Sequence, residues 1–300
     1  MSSKGAAPCH IVVMPYPGRG HINAMLNLCR LLVARDGVSA TVVVTEEWLG
    51  LLGAAADLGP RVHFETIPNV IPSEHGRAGD MLGFLEAVNT RMTAPFERLL
   101  DRLAPPAPAA IVADVVAPWA VDVGKRRGVP VCVLCPVSAT LLAVDYNLQH
   151  RLACGSASPV ADPADGIDPS FENYIPGLKS IRLSDLTAHT NEKILNKILE
   201  AYALVRRAQC VIFTSFHELE GDAIDAVRQD LHCPAYAVGP CIPFMEEIAA
   251  SAGRLMRRDT AEAEEMRRRA KLLKEAARAT VQEGGSSWSD LTSLINFISQ

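Results

Sequence analysis

The sequence predicts an α/β fold built on a doubly wound parallel sheet. Seven short runs are β-branched and almost continuously apolar, at residues 11–14, 40–45, 62–67, 110–113, 131–134, 210–214 and 235–238. Strands of that kind are covered on both faces. Segments with helical spacing lie between them, chiefly at 81–103, 117–127 and 193–208. Such alternation is the pattern of a parallel sheet with crossover helices. In these sheets ligands bind beyond the carboxyl ends of the strands.

The first strand runs into Pro15-Tyr16-Pro17-Gly18-Arg19-Gly20-His21-Ile22-Asn23, and Met25, Leu28, Leu31 and Leu32 then follow with helical spacing. That is a strand, a glycine-rich turn and a helix. A helix N-terminus offers unpaired N–H groups and a positive dipole end, which together favour an anion. Gly18, Arg19 and Gly20 are therefore candidates to face a phosphate-bearing ligand. His21 falls in the first helical turn. The dipole there disfavours an imidazolium, so the ring stays neutral and able to accept a proton. Two other readings stay open. His21 is a capping or surface residue in the first. In the second, Gly18 and Gly20 begin a dinucleotide-binding fingerprint, with Glu46 as the ribose-binding acid. The third glycine of that fingerprint is replaced by Asn23.

A carboxylate on the far ring nitrogen makes a histidine a better base, because it sets the tautomer and stabilises the imidazolium. Asp114 is the candidate. It follows an apolar strand, where an acid must reach the crevice or find a buried partner. The same position also suits an N-terminal cap for the helix after Pro118, and spacing does not separate the two readings.

Size and composition bound the function. Three hundred residues suffice for one large domain or two modest ones. A net charge of −5 excludes general nucleic-acid binding. No apolar run approaches the ~20 residues that span a bilayer, and the first residues carry no secretory signal. Cys132-x-x-Cys135 has redox or zinc spacing but sits within a buried-strand pattern, and no second pair accompanies it. It reads as structural, and a reducing, cytoplasmic setting is expected. Segment 155–170 reads as a surface loop. From Met245 onward helix formers dominate, with acid-before-base pairs between 262 and 271 that describe a solvated helix face. Gly284-Gly285 is expected to end that helix, and Ser287-x-x-Asp290 to open the next as a capping box.

Several motifs resemble, in order, those of plant UDP-dependent glycosyltransferases acting on small molecules. Pro15–Asn23 with Met25-Leu26 is similar to that family's N-terminal signature. Ile111-Val112-Ala113-Asp114 with Pro118-Trp119-Ala120 resembles its acid-bearing strand end. Tyr174–Leu178 with Arg182–Leu186 resembles a mid-domain loop. Phe213–Glu220 is similar to its "N-T/S-F-x-E-L-E" segment, and Val238-Gly239-Pro240 to the exit from its first domain. The resemblance spans residues 8–244. It implies a GT-B architecture, with an acceptor-binding Rossmann-like domain at 8–244. It also implies that His21 deprotonates an acceptor hydroxyl while Asp114 orients it, with inversion at the sugar. A UDP-sugar, most simply UDP-glucose, is then the co-substrate, and neither a metal nor a further cofactor is needed. The implied acceptor is a small molecule such as a flavonoid, a phenolic or a hormone. On the loop after the 131–134 strand, Ser138 is the nearest candidate for contact with the UDP-sugar.

The family's donor-binding signature (Trp-Ala-Pro-Gln, His-Cys-Gly-Trp-Asn-Ser, then Asp-Gln) does not occur; the tryptophans are Trp48, Trp119 and Trp288. Residues 245–300 instead resemble the family's final helices. The reading is a helical remnant of the donor domain, with the second Rossmann domain largely absent. The alternative is a non-catalytic acceptor-binding or interaction protein from a truncated transcript.

Overall fold

The computed structural model describes residues 9–53, 57–144, 192–240 and 261–299. The expected loop at 155–170, the motif at 174–186 and the first part of the expected helical stretch, residues 245–260, lie outside the described residues.

Seven strands form one sheet in the order β3-β2-β1-β4-β5-β6-β7. They are β1 (Cys9–Met14), β2 (Val38–Thr45), β3 (Val62–Ile67), β4 (Ala110–Asp114), β5 (Val131–Cys135), β6 (Cys210–Phe213) and β7 (Ala235–Ala237). Each expected apolar run is one of these strands. Every pairing is parallel. The chain winds outward from β1 to β3, returns to the centre and winds the other way from β4 to β7. The strand order therefore reverses between β1 and β4, the position beyond whose carboxyl ends sheets of this kind bind ligands.

Alternate side chains build two cores. Val12 and Met14 face one, and Ile11 and Val13 face the other. The first core is covered by α3 (Met81–Arg91), α4 (Thr93–Arg102), α5 (Trp119–Arg127), α6 (Glu192–Val205) and α7 (His217–Asp230). The second is covered by α1 (Arg19–Val33), α2 (Glu46–Leu52) and α9 (Ser286–Ile298). Cys132 and Cys135 fall on opposite faces, each fully buried, so the pair cannot chelate or bridge. All six described cysteines are free thiols.

Three local expectations need correction. The single helix expected over 81–103 is two, broken at Met92. Pro95 has no N–H to give the Arg91 carbonyl, and its ring crowds that carbonyl. Helix α5 begins at Trp119, after a turn in which Val116 N donates to Asp114 Oδ1 at 3.0 Å. It ends at Gly128, whose φ of +66° is strained for any other residue. Helix α8 (Ala261–Thr280) stops short of Gly284, and the capping box does not form. Gly285 is the N-cap of α9 and offers no side-chain bond. Ser287 is buried without a hydrogen-bond partner for its hydroxyl.

Asp290 is used elsewhere. Its Oδ2 accepts from the Ala237 N–H and from Arg228 Nη2, both at 2.7 Å. Arg228 also donates from Nε to the Ala235 carbonyl at 3.0 Å. One carboxylate thus ties α9 to the edge strand and to α7, while Leu291, Leu294 and Ile298 enter the second core. The exposed face of α8 carries the expected pairs, Glu265 with Arg268 and Arg269 at 2.7 and 2.8 Å. No described helix is long and apolar enough to cross a membrane.

Leu294→Ala should cost about 2–5 kcal/mol, because the side chain is fully buried. Asp290→Ala should cost about 1–3 kcal/mol through the orphaned Ala237 N–H and Arg228. Denaturant unfolding measures both, and an unchanged midpoint in either variant would show that α9 is not docked as described.

Candidate active site

The site is assembled at the reversal of strand order. Asp114 is the last residue of β4, and His21 lies in the first turn of α1, which β1 feeds. His21 Nδ1 is 2.8 Å from Asp114 Oδ2. A carboxylate only accepts, so Nδ1 carries the hydrogen and Nε2 keeps its lone pair. No described hydrogen bond reaches Nε2, and the His21 side chain is 27% exposed against 0% for Asp114. Asp114 does not cap α5, whose N-cap is Pro118 without a side-chain bond, so the capping expectation is corrected to a cap on the preceding turn. Oδ1 caps the turn through Val116 N, and Oδ2 holds the histidine.

His10 shows what a structural histidine looks like in the same chain. Its Nδ1 faces the Pro106 carbonyl and its Nε2 the Thr41 hydroxyl, each at 2.9 Å. Both nitrogens are occupied, and the residue is buried. His21 has one nitrogen held and one presented.

The glycine-rich turn is firmly seated. Gly18 is the N-cap of α1, extended and without a side-chain cap. Its N–H donates to the Tyr16 carbonyl at 2.8 Å, and its carbonyl accepts from Ile22 N at 2.9 Å. A Cβ added to Gly20 would meet nothing within 4 Å, so packing does not demand glycine there. Gly20 and Arg19 are both exposed. The Arg19 guanidinium lies 5.7 Å from the Trp48 ring centroid, a cation–π contact that turns it towards α2. Asn23, which displaces the third fingerprint glycine, is exposed, as is Glu46.

Ser138 lies past the end of β5 on the same edge of the sheet. Its Oγ accepts from Leu141 N at 3.1 Å, capping the short helix at 139–144. Glu220 braces that helix start, accepting from Thr140 Oγ1 at 2.7 Å and from Thr140 N at 3.0 Å. Ser138 therefore serves as a cap while remaining exposed.

Sequence reading missed the second layer. The Tyr16 ring is 5.0 Å from the His21 ring and 6.0 Å from Phe84. Burial pushes the Tyr16 phenol up to about 12; the Arg77 guanidinium opposes the rise, and the carboxylates of Asp114 and Glu74 add to it. Burial, and then Asp114, also hold the Cys135 thiol far above its ordinary value. Glu47, in the first turn of α2, accepts from Ser73 Oγ at 2.5 Å and from Glu74 N at 3.2 Å, which joins that helix start to the segment after β3. The Ser73 hydroxyl is the chief reason that the Glu47 carboxyl lies below its usual range. Apart from Tyr16 and His21, which share one turn, these contacts join segments far apart in the chain, so spacing carries no signal for them.

The raised Tyr16 value has a consequence for stability. The native state keeps its proton above the unfolded value of about 10. Stability from this group is full below pH 10 and is lost as pH rises towards about 12. Tyr16→Phe should flatten that alkaline decline in thermal melts across pH 9–11.5, and an identical decline in the variant would refute the assignment.

No family model matches the chain. Curated relatives do. UDP-glycosyltransferase 87A2 of Arabidopsis thaliana is 43% identical over 242 residues, covering 79% of this chain and 52% of the relative. UDP-glycosyltransferase 87A1 of the same plant is 45% identical over 237 residues, covering 78% and 53%. The (R)-mandelonitrile beta-glucosyltransferase of Prunus dulcis is 32% identical over 256 residues, covering 79% and 52%. The fold is shared with Medicago truncatula UGT71G1 complexed with UDP-glucose (TM-score 0.63, 19% identity, 78% of this chain and 52% of that one). It is also shared with a UDP-glucosyltransferase from Polygonum tinctorium capable of glucosylating indoxyl (TM-score 0.64, 21% identity, 82% and 56%). The chain spans about half the length of the curated relatives it matches. Through that span it is similar in sequence to these plant UDP-glycosyltransferases, and it shares the doubly wound parallel sheet of the GT-B architecture.

Proposed function

We propose that this chain carries the acceptor half of a glycosyltransferase active site. His21 is the base and Asp114 its orienting partner. Residues 8–244 form the acceptor-binding domain, and residues 245–300 correspond to the end of the donor domain. The observation that carries the reading is the 2.8 Å bond from His21 Nδ1 to Asp114, which leaves Nε2 unpartnered among the described residues.

The chemistry follows from that arrangement. An acceptor O–H placed at Nε2 gives up its proton to the imidazole. The oxygen's electron pair forms a bond to the anomeric carbon of a UDP-sugar. The bond from that carbon to the UDP oxygen breaks from the opposite side, and UDP leaves with the electron pair. The configuration at carbon inverts. The imidazolium is stabilised by Asp114 through the same hydrogen bond. A small-molecule hydroxyl, flavonoid, phenolic or hormone, is the acceptor class, and the exposed helix start with Gly20 suits an anion. No step in this scheme calls on a metal or a redox cofactor. Free thiols throughout the described strands suit a reducing cytoplasm.

A second reading rests on one observation, the coverage of only about half of each relative. An acceptor-binding protein without turnover would retain the His21–Asp114 pair and lack donor contacts. Calorimetry separates the two: an enzyme binds both UDP and a phenolic acceptor, whereas the binding protein takes up the acceptor alone.

Because the donor-binding signature is absent, the purified chain should turn over UDP-glucose with flavonoid and phenolic acceptors only slowly. His21→Ala should lower kcat by on the order of 10²–10⁴. Asp114→Asn should cost a comparable factor, because an amide donates to Nδ1 and shifts the imidazole proton to Nε2. Product formation that survives His21→Ala would remove the histidine from the mechanism.

A further inference from the structure

The histidine–aspartate bond has one firm end and one that needs holding. Asp114 is fixed by β4 and is buried. His21 sits at a helix start whose N-cap has no side chain. Arg77, from the 3₁₀ segment Glu74–Gly79, meets this turn. Its Nη1 donates to the Pro17 carbonyl at 3.3 Å, and its Nη2 pairs with Glu74 at 2.9 Å. The guanidinium carbon lies 5.8 Å from the Phe84 ring centroid. A Cβ built on Gly18 would stand 2.6 Å from Nη1. Gly18 has φ −160°, which any residue adopts, so the backbone does not require glycine there. A Cβ there would instead displace the guanidinium, which now fills that space, and press on the Tyr16 ring at 3.3 Å.

We propose that Arg77 is a positioning residue for His21, locking the Pro17–Gly18 turn so that the imidazole meets Asp114 and presents Nε2 to the acceptor hydroxyl. Gly18 leaves open the space that Arg77 occupies. The proposal rests on the reading of His21 as the base. Three segments converge on one planar cation: the β1–α1 turn, the 3₁₀ segment and α3 through Phe84. A planar fork bridges a carbonyl and a carboxylate in one fixed geometry, whereas an ammonium is a point charge on a flexible stem. Tyr16, wedged between His21 and Phe84, transmits the position of that wall to the imidazole.

The test compares Arg77→Ala, Arg77→Lys, Gly18→Ala and the Gly18→Ala/Arg77→Ala double variant in the full chain. The readouts are thermal melting, turnover of UDP-glucose with a phenolic acceptor, and the imidazole Nδ1–H resonance of His21, assigned by its loss in His21→Ala. Arg77→Ala should melt within a few degrees of the parent and lose roughly ten- to hundredfold in kcat, with the UDP-glucose KM little changed, as a misplacement of about 1 Å would produce. Its Nδ1–H signal should broaden. Arg77→Lys should recover only part of the loss, and millimolar guanidinium should restore turnover to Arg77→Ala. Gly18→Ala should reproduce the defect, and the double variant should be no worse than the poorer single, since both act on one contact. Losses that multiply in the double variant would overturn the proposal. So would an Arg77→Ala protein with parental kcat and an unchanged Nδ1–H signal. If the parent shows no turnover, the function reading fails by itself. The resonance then decides for Arg77: broadening in Arg77→Lys and Gly18→Ala supports the proposal, and parental signals in both overturn it.

Discussion

A carboxylate at the end of a buried strand must be satisfied, and the remainder of the site is arranged around how Asp114 is. A lone buried charge would cost several kcal/mol. Asp114 avoids that cost with the Val116 N–H on one oxygen and the His21 imidazole on the other. The second bond is possible because β1 and β4 are neighbours in the sheet although nearly a hundred residues apart in the chain. Their adjacency is the reversal of strand order itself. The His21–Asp114 pair is thus a consequence of one topological feature.

Around that bond the carboxyl edge of the sheet is stitched by polar contacts between strand-end segments. Arg77 reaches the β1–α1 turn, Glu47 reaches Ser73 and Glu74, and Glu220 reaches the start of the 139–144 helix. Loops need such ties, because they have little apolar surface to bury. The opposite requirement governs the faces, where β1, β4, β5 and β6 bury every residue. The molecule is an apolar slab with a polar working edge. Asp290 extends the same device to the end of the sheet, where an edge strand would otherwise expose its N–H groups.

Much of this was legible in the sequence. All seven strands were, because a strand covered on both faces must be apolar throughout and cannot be mistaken for a loop. His21 and Asp114 were legible as candidates, since each follows such a strand. The structural reading of Cys132 and Cys135 followed from the strand as well, because residues three apart point to opposite faces. Local rules failed where two of them competed. Helical periodicity ran through 81–103, but Pro95 broke it. Ser287 and Asp290 matched a capping box, but a longer-range partner, the Ala237 N–H, claimed the carboxylate.

What the amino-acid sequence by itself determined is the alternation of strand and helix and the identity of the two residues that meet at the reversal of strand order. Burial, periodicity and turn chemistry are local, and each leaves its mark within a dozen residues. The tertiary structure alone decided which loops touch. It placed Arg77 in the space left by Gly18 and brought Asp114 to the His21 ring. Those contacts join residues 60 and 93 positions apart. Only the winding of the sheet brings them within hydrogen-bonding reach.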